Sequence, residues 1–217
     1  MQILLVRHGQ SRGNVDKSHY LEVADHDVAL SEEGFEQADG NGAFLADWIP
    51  KHWGQEPVRV WHSPYRRASQ TTDRIVAAMG DLVLDRREHI LLAEQQFGLF
   101  DGLDNAETAV RYPDEHAHYE RCRAHGGRFW ARMPLGESRF DVAQRVHQSF
   151  GTFQRDAARH DLNRLVIVCH GTTVRAFMMM WLGLGVEWFE NESNPPNASV
   201  RYLNGDRDDG YVFPGFA

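Results

Sequence analysis

Residues 1–11, MQILLVRHGQS, decide the fold. Ile3-Leu4-Leu5-Val6 is an apolar run rich in branched residues, long enough for a buried strand and too short for most helices. It halts at Arg7-His8-Gly9, where a cation and an imidazole precede a glycine that allows a tight turn. Ligands bind at the carboxyl edge of open α/β sheets, so the stretch has the form of a strand delivering side chains there. A buried strand followed by ordinary solvated charges reads the same way, and residues downstream decide between them.

Two further apolar runs end in the same manner. Val58 to Trp61 leads into His62-Ser63, with Arg66-Arg67 one helical turn on, and Leu165 to Cys169 leads into His170-Gly171. Leu82 to Leu84 is a weaker strand, and the tail from Asn191 is mostly loop with an edge strand near Ser199 to Leu203. Helices are expected between them. One follows the N-cap Ser31 and ends at Pro50 or Gly54. A second runs from about Tyr65 to Met79 with Pro64 in its first turn, and the last from about Thr173 to Leu182. The capping-box pattern Ser138-Arg139-Phe140-Asp141 opens a helix with the apolar stripe Ala143, Val146, Phe150, Phe153 and Ala157. Alternating strands and helices with crossovers of this length predict an α/β fold, a mostly parallel sheet covered on both faces. From Asp101 to Gly136 the chain is polar, aromatic and rich in histidine, and reads as helices and loops laid over the sheet edge.

At 217 residues one domain is the default. Lys+Arg of 23 against Asp+Glu of 31 gives a formal charge of -8, which disfavours a general nucleic-acid or anionic-membrane surface but not a small anionic ligand held by local arginines. Neither cysteine stands in zinc-ligand or disulfide-framework spacing, and no secretory or membrane-spanning segment is evident. A cytoplasmic location is expected. The oligomeric state stays open, a homodimer among the options.

Parallel strands would bring all three polar ends to one edge, assembling two imidazoles and at least two guanidinium groups. A guanidinium matches pairs of phosphate oxygens through parallel charge-assisted hydrogen bonds, so the set describes a phosphoryl pocket. In order along the chain, RHGQSRGN at 7–14, SPYRRASQT at 63–71, LAEQQFG at 92–98, PLGES at 134–138 and CHGTTVRA at 169–176 resemble the histidine phosphatase superfamily, the phosphoglycerate mutase-like fold. The resemblance implies a three-layer α/β/α sandwich, a single domain over 1–217 and a cap-like segment at about 99–136.

Carried over residue by residue, His8 resembles the nucleophile that becomes a phosphohistidine, Arg7 and Arg67 the phosphate clamps, His170 the second histidine, and Glu94 the proton donor to the leaving group. Asn14 resembles the asparagine near the phosphoryl group, with Ser11 and Gly171 lining the same pocket. No cofactor or metal is required. The resemblance implies a histidine acid-type phosphatase hydrolysing a small phosphorylated metabolite; phosphoglycerate mutase-type transfer and a non-catalytic phospho-ligand module are the alternatives. Mutases of the family carry Trp before the motif's Asn, where this chain has Gly13. Arg66 reads as a surface residue, Arg175 as either structural or contacting, and His116, His118 and His125 as exposed rather than metal-binding. Asp25, Asp27, Asp101 and Glu107 receive no role beyond solvation. Arg121, Arg123, Arg128 and Arg132 are candidates for a second anionic subsite, with an equal reading as solvent-facing side chains.

Overall fold

Ile3 and Leu5 face one way from β1 (Gln2–Arg7), Leu4 and Val6 the other, and all four are at most 1% exposed. A strand with two buried faces needs a layer of helices on each. The structure, a computed structural model, describes residues 1–216. After β1 come α1 (Arg12–Val15), α2 (His19–Glu22), α3 (Glu32–Trp53), β2 (Val58–His62), α4 (Arg66–Met79) and β3 (Val83–Glu88). Then follow α5 (Asn105–Arg111), α6 (Pro113–Gly126), α7 (Arg139–His160), β4 (Arg164–Cys169), α8 (Gly171–Leu182), α9 (Val186–Asn191), β5 (Val200–Asn204) and β6 (Arg207–Phe213). The sheet order is β3-β2-β4-β1-β5-β6. The first four strands are mutually parallel; β5 adds antiparallel to β1, and β6 antiparallel to β5.

The result is a three-layer α/β/α sandwich. Ile3, Leu5, Leu165 and Ile167 pack with residues of α7, α8 and α9, including Phe153 and Phe177. Leu4, Val6, Val166 and Val168 pack with α3 and α4, through Leu45, Ile49, Ala68 and Ile75 among others. Register sets the edge on which the strands finish. Arg7 lies beside Cys169, and His62 beside Val168, so the polar residues after each strand emerge together.

Local signals act as expected at two helix starts. Ser31 accepts from Gly34 N, and Ser138 and Asp141 complete a reciprocal capping box. Of the two expected stops, α3 passes Pro50 and ends at Trp53 before Gly54, whose φ of +82° suits glycine; a proline in the last turn removes only one helical N–H. Three boundaries differ. Pro64 precedes Tyr65, the N-cap of α4, and stands outside the helix. β3 extends to Glu88, its alternating exposure belonging to an edge strand. In the tail, β5 is not an edge strand, because β6 pairs along its outer side. β6 reads RDDGYVF, and charges with an internal glycine hide a strand whose outer side needs no apolar cover.

Candidate active site

The backbone beyond β1 turns where no side chain would fit. A Cβ on Gly9 would fall 2.4 Å from Gly34 O, and one on Gly34 would fall 1.9 Å from Gln10 O. This close crossing seats the start of α3 against residues 9 and 10, while Thr71 of α4 accepts from Gly9 N at 3.1 Å. The His8 N–H donates to Cys169 O, tying the β1 and β4 ends together.

His8 is 3% exposed. Its Nδ1 lies 2.6 Å from Gly9 O, so the ring proton is assigned to Nδ1, and Nε2 keeps its lone pair. Arg67 Nε donates to that Nε2 at 3.3 Å. Burial, then the charges of Arg67 and Arg7, hold the His8 pKa well below the usual imidazole value, so the ring is neutral. His170 is fully buried and also held well below its usual value, by burial first and Arg67 next. Its Nε2 meets Ser63 Oγ at 2.7 Å, and its ring stands edge-on to His8 with centroids 5.0 Å apart. Two polar atoms here, Arg7 Nε and His170 Nδ1, are buried with no protein partner. Such orphans are costly, about 1–3 kcal/mol each.

A cavity of about 400 Å³ opens over His8. Arg7, Arg67, Asn14 and Glu94 line it with His8. Ser11 does not: it is fully buried and caps α1, its Oγ accepting from Asn14 N while Asn14 Oδ1 accepts from Ser11 N. That exchange leaves the Asn14 NH2 for the cavity. Gly171 also lies behind the wall, at the start of α8, where a Cβ would meet the Asn194 amide at 2.9 Å. Arg7 donates from Nη1 to Pro195 O. His62, at the end of β2, points elsewhere and accepts from Arg86 Nε at 3.0 Å.

Glu94 reaches the same cavity from a loop held by hydrogen bonds. Its Oε2 accepts from Thr172 N at 3.2 Å, and its Oε1 from Gln95 N and Thr173 Oγ1. Arg145 donates to the carbonyls of Leu91, Ala93 and Glu94 while its guanidinium pairs with Glu137. Nothing in the sequence pattern singles out Arg145, the arginine that carries this loop; Glu137, in the PLGES stretch, is its nearest signal.

Asp25 is the larger surprise. Rather than a solvated surface carboxylate, it is 14% exposed and pairs with Arg67, which donates from Nη1 to Asp25 Oδ1 at 2.8 Å and to its carbonyl at 2.6 Å. Burial would lower the Arg67 pKa, but Asp25 and the ring of Tyr20 more than offset it, so the guanidinium stays charged. Asp101 also lines the cavity instead of facing solvent alone. Asp27 is exposed and pairs with Arg66, a surface arginine as expected. Arg175 is structural, donating to Phe189 O and Glu192 O.

None of Arg121, Arg123, Arg128 or Arg132 lines the cavity. Arg123 pairs with Glu120, and Arg132 with Asp141 on the far side of the α7 cap. Lys17, Tyr20, Phe97, Phe100 and Leu103 form the outer wall in their place. The ring of Tyr20 lies over Gly13, where an added Cβ would come 2.3 Å from Tyr20 Cζ. Among the described residues no group of three His, Cys, Asp or Glu side chains is arranged to hold a metal, and no helix is long and apolar enough to cross a membrane.

The geometry offers a neutral imidazole, two fixed guanidinium groups and a carboxyl group around one cavity. Known proteins share the fold that builds it. The chain is similar to the phosphoglycerate mutase-like protein AT74 of Arabidopsis thaliana, 34% identical over 93% of this chain; the chain spans 64% of the length of that relative. Similarity to the phosphoglycerate mutase-like protein AT74H of the same plant is 32% over 98% of this chain and 76% of the relative. Among solved structures, a mycobacterial glucosyl-3-phosphoglycerate phosphatase in complex with VO3 superposes with a TM-score of 0.75, at 25% identity over 99% of both chains. The model of the histidine phosphatase superfamily (branch 1) matches residues 3–212, and the chain belongs to that superfamily.

Proposed function

We propose that the protein is a phosphomonoesterase that hydrolyses a small organic phosphate through a phosphohistidine on His8. One observation carries this reading: His8 Nε2 accepts from the Arg67 guanidinium at 3.3 Å, and His8 shares one cavity with Glu94. An imidazole kept neutral by burial and neighbouring cations needs no base to become a nucleophile.

In the first step Nε2 attacks phosphorus and the ester oxygen leaves. Glu94, protonated, gives its proton to the departing alkoxide. In the second step Glu94, now a carboxylate, takes a proton from water as the hydroxide displaces His8 from phosphorus, which restores both groups. Charge spreads over the phosphoryl oxygens during transfer, so Arg7, Arg67 and the Asn14 amide act by preorganised electrostatics. The unpartnered Nε of Arg7, a residue that lines the cavity, supports an oxygen-rich ligand that would satisfy it. The mycobacterial relative is a phosphatase, which agrees with hydrolysis.

Brief incubation with a phosphate-labelled ester, followed by acid-sparing digestion and identification of the labelled residue, tests the mechanism. Label on His8 and loss of turnover in His8→Ala are expected. Label elsewhere, or steady turnover by His8→Ala, sinks it. Isomerised phosphoglycerate without matching free phosphate would instead indicate a mutase.

A further inference from the structure

The outer half of the cavity differs in kind from the phosphate end. Phe97, Phe100 and Leu103 make an apolar wall, and Asp101 stands between them. No cation forms an ion pair with its carboxylate among the described residues, and the Arg67 charge reaches it only from beyond ion-pair distance. Asp25 is already matched to Arg67. The position of Asp101 is fixed, because residue 102 packs on α2: a Cβ on Gly102, whose φ is +73°, would lie 2.9 Å from both Lys17 O and Tyr20 Cβ. A half-buried carboxylate left without a cation, beside aromatic rings, suits a ligand with hydroxyl donors and an apolar C–H face.

Resting on the phosphatase reading, we propose that this outer half is a polyol subsite, with Asp101 accepting hydrogen bonds from leaving-group hydroxyls and rejecting leaving groups that carry a second anion. The preferred substrates are then sugar or polyol monophosphates. Esters with an added carboxylate or phosphate place like charge against Asp101, with none of the four arginines of residues 121–132 present to receive it.

Burial, then the charge of Asp25, raises the Asp101 pKa to about 6, with Arg67 opposing. The groups facing it are Asp25, Arg67 on α4 and Tyr20 on α2; Lys17, Arg7, His8 and Glu94 line the same cavity. Asp101 is ionised at pH 8 and largely neutral at pH 5, so rejection of a second anion fades on acidification. Lys17, exposed on the rim, is the opposing charge.

Glycerol 3-phosphate and 3-phosphoglycerate test this, since they differ only in a hydroxymethyl against a carboxylate group. Their phosphates titrate alike, so the ratio of kcat/KM values isolates the subsite. At pH 8 glycerol 3-phosphate is expected to lead by about tenfold or more. The ratio should fall several-fold at pH 5 and also in Asp101→Asn at pH 8, because the carboxylate ester then shows a lower KM while its kcat changes little. A ratio of one or below at pH 8, or one that Asp101→Asn leaves unmoved, overturns the subsite while the phosphatase reading stands. If neither ester nor any other releases phosphate, that reading falls instead. Calorimetric binding of the two esters then decides the subsite, equal or tighter binding of the carboxylate ester overturning it.

Discussion

The two ends of one cavity are built by different means. The end proposed to take the phosphate is made where parallel strands stop: His8, Arg67 and His170 are 3%, 2% and 0% exposed, and each is tied to a neighbouring strand or helix. The outer end is made by loops and short helices around 17–20 and 97–103, where Lys17 is exposed and Asp101 half-buried. One end is cationic and preorganised, the other acidic and aromatic. A rigid sheet edge suits the step common to all esters, and the loops above it suit the part that varies between them.

The contrast breaks most visibly at Arg67. Arg67→Gln removes a charge-assisted donor beside His8 Nε2 and is expected to lower kcat/KM by about 10²–10³-fold. Because every ester presents the same phosphoryl group, the loss should be equal for glycerol 3-phosphate and a bulkier sugar phosphate. Steady-state kinetics on both esters checks this, and a loss confined to one would mean that the two ends do not act separately.

A second test needs no substrate. Unfolded histidine takes up a proton near pH 6.5, whereas native His8 and His170 stay neutral well below it. The unfolded state therefore binds more protons as pH falls through that value, and stability declines by about 1.4 kcal/mol per pH unit for each histidine. Asp101 acts with opposite sign, since below about pH 6 the native state holds a proton that the unfolded carboxylate lacks down to its ordinary value. Urea unfolding between pH 7 and 5 measures the sum. His170→Asn should flatten the slope and Asp101→Asn should steepen it, which distinguishes the two ends by sign.

How far each end could be read in the sequence follows from the same contrast. β1, β2 and β4 are buried on both faces, so they stand out as apolar runs, broken only by the buried Arg59 in β2, and the residues just beyond them carry the motif. β6 has one free side and leaves no such trace. Asp25 reaches Arg67 across 42 positions, and Arg145 reaches the Glu94 carbonyl across 51. No local period or spacing marks such pairs; only the fold brings them together. The reading of Arg121, Arg123, Arg128 and Arg132 as a second anionic subsite fails for the converse reason. Their charge suits an anion, but α6 and the turn after it point them away from the cavity, toward partners of their own or solvent.

Those arginines make the smallest expected effect and the finest test of where the outer end stops. Arg128 is exposed, and Arg132 is 67% exposed in its pairing with Asp141. Exposed pairs of this kind contribute about 0–1 kcal/mol. Arg128→Ala and Arg132→Ala should therefore leave kcat/KM within about twofold for either ester of the glycerol 3-phosphate and 3-phosphoglycerate pair. A selective loss on the carboxylate ester would show these side chains turning inward when an anion arrives. The boundary of the outer end would then have to be redrawn to include them.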